Sequence, residues 1–149
     1  MVEKILISFR EDWSYFQLAL KQFEYSINAC SSFNLELEFS ETDLEKMEAF
    51  TARFARLLDI YTQKILKTID VLEGYGNGSL RDILNRSAKS GIINSEIDVL
   101  HWRVLRNEIA HDYIPSEQRR IFFEVMQISS KLLQSIKISE NYVSQAKWL

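Results

Sequence analysis

The sequence predicts an all-α fold, an antiparallel bundle of four long helices and one short one. Three observations carry this. The chain has four glycines and one proline in 149 residues, where average usage gives roughly 18; sandwiches and barrels need many more tight turns. Apolar residues recur at steps of three and four along most of its length, the period of a helix buried on one face. And residues 42–73 run without a glycine or proline, enough for a helix over about 40 Å long.

A length of 149 residues fits one domain spanning 1–149, with a weakly patterned C-terminal tail over about 139–149. Hydrophobic residues at 46% and charged residues at 26% exclude a disordered chain. No run of eighteen apolar residues predicts a membrane span. The opening MVEKILISFRED carries charges within its apolar stretch and lacks the pattern of a secretion signal. A net charge of −3 argues against a broad basic nucleic-acid footprint and leaves room for a small local one. The single cysteine, Cys30, lies in an apolar stretch and reads as a buried structural thiol, in keeping with a reducing cytosol.

Ser8-Phe9-Arg10-Glu11 has capping-box form and precedes the stripe Trp13, Phe16, Leu20, Phe23, Ile27, so the first helix is expected from Ser8 to about Ala29–Ser32. Residues 31–41 connect it onward; Leu35, Leu37 and Phe39 alternate, which allows a short strand, but no second alternating run offers a partner and a packed extended crossover is favoured. Thr42-Asp43-Leu44-Glu45 is a second box, followed by Met47, Phe50, Phe54, Leu57, Tyr61, Ile65 and Thr68 with Leu58, Ile69 and Leu72. Gly74-Tyr75-Gly76-Asn77-Gly78 ends this helix. It is no phosphate loop, since a helix rather than a strand precedes it and no Gly-Lys-Ser/Thr follows; it is a mobile helix-to-helix connection. Ser79 caps a short helix to about Ala88, and Gly91 is a left-handed stop. Asn94 or Ser95 starts the fourth helix, with Ile97, Leu100, Val104, Leu105 and Ile109 as its apolar set. Pro115 or Ser116 opens the last helix, with the stripe Ile121, Val125, Ile128, Leu132, Ile136.

Residues 101–113, HWRVLRNEIAHDY, exceed what packing needs, and both histidines lie there. Arginine presents a planar fork to phosphate oxygens, histidine moves protons near neutral pH, and tyrosine donates a hydrogen bond or stacks. On an ideal helix Tyr113 returns to within about 20° of Arg106, whereas His111 lies about 140° away. Convergence of the three therefore needs a helix that distorts near His111, or a second chain. Asn107 shares the face of His111 and could orient its ring. The residues are those of metal-independent phosphodiester chemistry, in which an RNA 2′-OH is the nucleophile. Taken by composition alone they fit an ordinary helix end better, with Arg106 paired to Glu108 or an acid elsewhere and His111 capping carbonyls.

The spacing Arg106-x-x-x-x-His111-x-Tyr113, with Asp112 at its variable position, resembles the defining motif of the HEPN superfamily. It looks most like the HepT-like ribonuclease toxins paired with a minimal nucleotidyltransferase antitoxin. The position of the motif before the last helix, and EAFTARFARLLDIYTQKI at 48–65 in the long second helix, extend the resemblance over most of the chain up to about residue 138. The resemblance implies a homodimeric helical bundle, with motifs facing across a cleft, that cuts RNA as a toxin endonuclease and leaves a 2′,3′-cyclic phosphate. No metal or other cofactor is implied. Arg106 would polarise the scissile phosphate, His111 would transfer protons, and Asn107 and Tyr113 would support the site and contact RNA. Tyr113 would also be the tyrosine that the nucleotidyltransferase adenylylates from ATP, adding bulk and negative charge to the cleft. A larger hetero-oligomer with the antitoxin is compatible with the family. Some related bundles are instead non-catalytic partners of nucleotidyltransferases, which is the alternative function.

Overall fold

The computed structural model describes residues 1–34, 36–111 and 113–149; the expected alternation at Leu35 and the variable motif position Asp112 lie outside the described residues. Among these the chain is helical throughout: α1 (Val2–Cys30), α2 (Glu41–Ile60), a π-helical turn (Tyr61–Leu66), α3 (Lys67–Leu72), α4 (Leu80–Lys89), α5 (Glu96–His111) and α6 (Pro115–Ala146). The segments α2, π and α3 form one continuous rod, so four long rods and the short α4 make the bundle.

Side-chain pairs fix the topology. Phe23 meets Phe50 and Phe54, and Phe16 stacks on Tyr61, so α1 and α2 run antiparallel. Asp59 of α2 meets Arg103 and Arg106 of α5, and Ile109 lies further on, beside Met47 and Thr51, so α5 also runs against α2. Glu108 meets Arg120 across the turn from α5 into α6. Phe50 with Phe122, and Tyr61 with Ser135, place α6 parallel to the central rod. This rod contributes Phe50, Phe54, Leu57, Leu58, Tyr61, Ile65, Leu66 and Ile69 to the core, all fully buried.

Several boundaries differ from expectation, each for a physical reason. The first helix begins at Val2, and Ser8 lies inside it. The apolar stripe extends back through half-buried Ile5 to buried Phe9, so packing carries the helix past the local capping signal. The second helix is capped by Ser40 rather than Thr42: Asp43 N–H donates to Ser40 Oγ and Ser40 N–H donates to Asp43 Oδ2, both at 3.1 Å. Two box registers overlap in this stretch, and the one closed by aspartate forms. The π turn adds a residue to the repeat. Tyr61, Thr62, Ile65 and Leu66 within it and Ile69 and Asp70 after it are buried, while the expected Thr68 is only half-buried. Among the described residues of 31–41 there is no strand; Phe39 packs on Phe33 and Phe122, as a packed crossover requires.

Ser79 caps α4 as expected, in a box with Asp82. Gly78 before it has φ +94°, and a Cβ there would stand 2.6 Å from the capping carboxylate of Asp82, so only glycine fits. Gly91 adopts φ +74° just past α4, the left-handed stop the sequence predicts. Ser95 accepts from Asp98 N–H at 3.2 Å and so starts α5.

The largest correction concerns the tail. The stretch read as a weakly patterned tail is mostly helix: α6 continues to Ala146, with Ser139 and Val143 fully buried. Lys147 turns left-handed at φ 58°, and Trp148 then packs edge-on against Phe9, while its carbonyl accepts from Arg10 Nε at 2.8 Å. Ser139 donates to Ile92 O at 2.6 Å and shares the buried Tyr61 hydroxyl with Ser135. Burial pushes the Tyr61 phenol up to about 12. Small hydroxyls on α6 thus let it approach the π turn while leaving no buried polar side-chain atom unpaired among the described residues. Cys30 is buried as predicted, and burial raises its thiol to about 11. Among the described residues no helix is long and apolar enough to cross a membrane.

Candidate phosphate-binding site on α5

The apolar stripe of α5 is the expected one only in part: Leu105 is buried and Leu100 and Ile109 pack against the core as expected, while Ile97 and Val104 do not. Val99, Trp102 and Leu105 are buried, whereas Ile97 is 72% and Val104 54% exposed. Two stripes with helical spacing coexist on this segment, and the one carrying Trp102 buries more area. This choice of face orients the motif. Arg103 and Arg106, on the flank, turn toward the central rod; Asn107 and His111 remain exposed. Ile97, Val104 and His111 are seven residues apart, so they form one outward line within about 40°.

Arg106 is held by an acid distant in sequence. Its Nε and Nη2 donate to Asp59 Oδ1 and Oδ2, both at 2.8 Å, a bidentate charge-assisted pair. Arg103 Nη1 donates to the same Oδ1 at 3.1 Å. The three side chains are partly exposed, at 27% for Arg106, 23% for Arg103 and 36% for Asp59. Hydrogen bonds donated to Asp59 and then its charge, acting against desolvation, raise the Arg106 pKa above the ordinary arginine value. Two arginines against one carboxylate leave the cluster net positive.

Sequence reasoning missed Asp59. Its signal was present, an acid inside LLDIY among residues that are otherwise buried or half-buried, but its partner lies 47 residues away. Of the two pairings expected of an ordinary helix end, Arg106 takes the acid elsewhere in the chain, Asp59, and not Glu108. Glu108 instead joins Glu117 and Glu124 around Arg120, at 2.6, 2.8 and 2.9 Å. Hydrogen bonds donated to Glu108, then to Glu117 and Glu124, raise the Arg120 pKa. Arg119 lies over the Phe39 ring at 4.3 Å and donates to Leu37 O at 2.9 Å. Of the four arginines near the motif, Arg103 and Arg106 therefore form the net-positive cluster.

α5 stays α-helical through His111, so the angular separation of Arg106 and His111 within one chain stands. No distortion brings them together, and among the described residues no hydrogen bond joins Arg106, Asn107, His111 and Tyr113. Tyr113 lies beyond the helix end, so its expected helical alignment with Arg106 does not apply. It is 84% exposed, between α5 and Pro115, which opens α6 at its first position behind the extended Ile114. No protein-family model, curated protein or solved structure significantly matches the chain.

Proposed function

We propose that the chain is a metal-independent RNA endonuclease, the toxin of a toxin–antitoxin pair, acting as a homodimer and neutralised by a nucleotidyltransferase that adenylylates Tyr113. The carrying observation is that α5 ends at His111, with His111 and Tyr113 open to solvent rather than consumed by packing. Arg106 binds the scissile phosphate and stabilises charge developing on it. His111 exchanges the proton of the 2′-OH or of the leaving 5′-oxygen. Attack of the 2′-oxygen on phosphorus forms the cyclic ester as the P–O5′ bond breaks.

The outward line of Ile97, Val104 and His111 supports the dimer, because it supplies exposed apolar surface on the histidine face. A second chain apposed there supplies the missing convergence, with Arg106 of one copy working beside His111 of the other. Tyr113 has the accessibility that modification requires.

Purified chain is expected to cut RNA in the presence of EDTA and leave 2′,3′-cyclic phosphate ends. His111→Ala and Arg106→Ala lower that rate by about 10²–10⁴-fold and relieve the growth defect of unpartnered expression. A folded His111→Ala protein that still cleaves at the parental rate removes the catalytic assignment. Mass measurement after mixing with ATP and the cognate nucleotidyltransferase is expected to find AMP on Tyr113. One observation favours a non-catalytic partner: the net charge of −3, with Arg120 enclosed by three carboxylates. That role predicts a tight complex with the nucleotidyltransferase and no RNA cleavage.

A further inference from the structure

Arg106 and Asp59 meet in a particular way. A guanidinium has two edges that can grip an oxyanion with paired hydrogen bonds, the side-on edge of Nε and Nη2 and the end-on edge of Nη1 and Nη2. Asp59 occupies the side-on edge completely, with both contacts at 2.8 Å. Among the described residues the end-on edge has no protein partner. The two edges of the planar guanidinium diverge, so it points away from the Asp59 carboxylate. Asp59 is itself fixed by Arg103 and stands in the last turn of α2 before the π turn, whose residues Tyr61, Thr62, Ile65 and Leu66 are all buried. The carboxylate is thus mounted on the most deeply packed rod of the bundle.

We propose that Asp59 is a positioning residue: it fixes the plane of the Arg106 guanidinium so that the end-on edge is presented to a backbone phosphate of a polynucleotide, and it keeps its own bonds while the phosphate is bound. A long flexible arginine would otherwise spend conformational freedom on each binding event. Clamped on one edge, it meets the phosphate already oriented, the condition under which a charged donor lowers a barrier most. Arg103 has a second role here. Its charge offsets Asp59, so that the clamp does not repel the anion it serves. The opposite arrangement, in which Asp59 is a phosphate mimic that the ligand must displace, would need the phosphate to take the side-on edge.

This inference rests on the proposed RNA-cleaving function for its substrate, and its test has two arms. The first follows the Arg106 side chain by ¹⁵N NMR in the full-length protein as a 2′-O-methyl RNA oligonucleotide, which cannot be cleaved, is added. The Nη signals are expected to move while the Nε–H signal keeps its Asp59-bonded position. Displacement of the Nε–H signal, no change at Arg106, or no binding of the oligonucleotide each overturns the proposal. The second arm measures cleavage of the corresponding RNA by Asp59→Asn and Asp59→Glu. Asp59→Asn lowers kcat by about tenfold or more with KM changed less than about threefold, and Asp59→Glu restores part of it. A loss explained entirely by unfolding, or a rate that rises, contradicts positioning. Oligonucleotide bound as expected in the first arm without any cleavage in the second leaves Asp59 in its place and removes the endonuclease.

Discussion

Two aspartate–arginine pairs in this bundle have nearly the same geometry and opposite surroundings. Arg86 grips Asp70 through Nε and Nη2 at 2.7 and 2.8 Å; Arg106 grips Asp59 through the same two nitrogens at 2.8 Å. The Asp70 side chain is 2% exposed, that of Asp59 36%. Asp70 also accepts from Gly76 N–H at 3.0 Å, Arg86 Nη2 donates onward to Asn77 O at 2.6 Å, and the Tyr75 ring lies 5.0 Å from the Arg86 guanidinium carbon. The glycine connection is therefore strapped, and one donor of the onward edge of Arg86, on Nη2, is tied to it. Among the described residues nothing takes that edge of Arg106. The same ion pair is a strap where a spare donor is tied to the fold and a candidate site where the whole edge is left over.

This contrast is most readily broken by stability measurements. Asp70→Ala leaves the Arg86 charge facing an emptied buried site and frees the glycine loop. It is expected to lower the unfolding free energy by about 2–4 kcal/mol in urea titration. An equal loss for Asp59→Ala would erase the distinction.

The acid limb of stability sharpens it further. Burial alone would raise the Asp70 pKa, but hydrogen bonds from Arg86 and Gly76 N–H, with the charge of Arg86, hold it below the usual carboxylate range. Its contribution is therefore complete above the unfolded pKa of about 3.9 and declines as pH falls through the lower folded value. Asp70→Asn is expected to flatten the fall in melting temperature below about pH 4.

Trp148→Ala removes the edge contact with Phe9 at the same end of the molecule and is expected to cost about 1–2 kcal/mol by the same titration. A value near zero would show that the tail contributes nothing to this end. The smallest stability effect is expected at the open pair. Arg106→Ala, breaking a partly exposed pair, costs less than about 1 kcal/mol while abolishing the proposed cleavage. That dissociation of stability from activity is the mark of a site rather than a strap.

Much of the fold was legible because helical signals are local. The cap at Ser79, the stop at Gly91 and the opening at Pro115 each involve residues within one turn of one another. The errors share a physical form. At Ser8 and Thr42 a local cap signal was present, but burial of Ile5 and Phe9, or a competing box, decided otherwise. On α5 two apolar stripes had helical spacing, and only the neighbours could choose between Trp102 and Val104. The tail lacked a strong apolar period because serines fill its contact face. Ser135 and Ser139 pack as small groups with internal hydrogen bonds, a pattern that hydrophobic periodicity does not register.

The sequence by itself determined that this chain is a set of amphipathic helices, and it placed Arg106, His111 and Tyr113 at the end of one of them, because periodicity, caps and breakers act over a few residues. Only the tertiary structure decided which face of α5 is buried, that the tail is part of the core, and that Arg106 is clamped by Asp59 with one edge left open. Those outcomes depend on which helices become neighbours and how much area each pairing buries, and a carboxylate 47 residues from its arginine acquires its role only when the helices that carry them pack together.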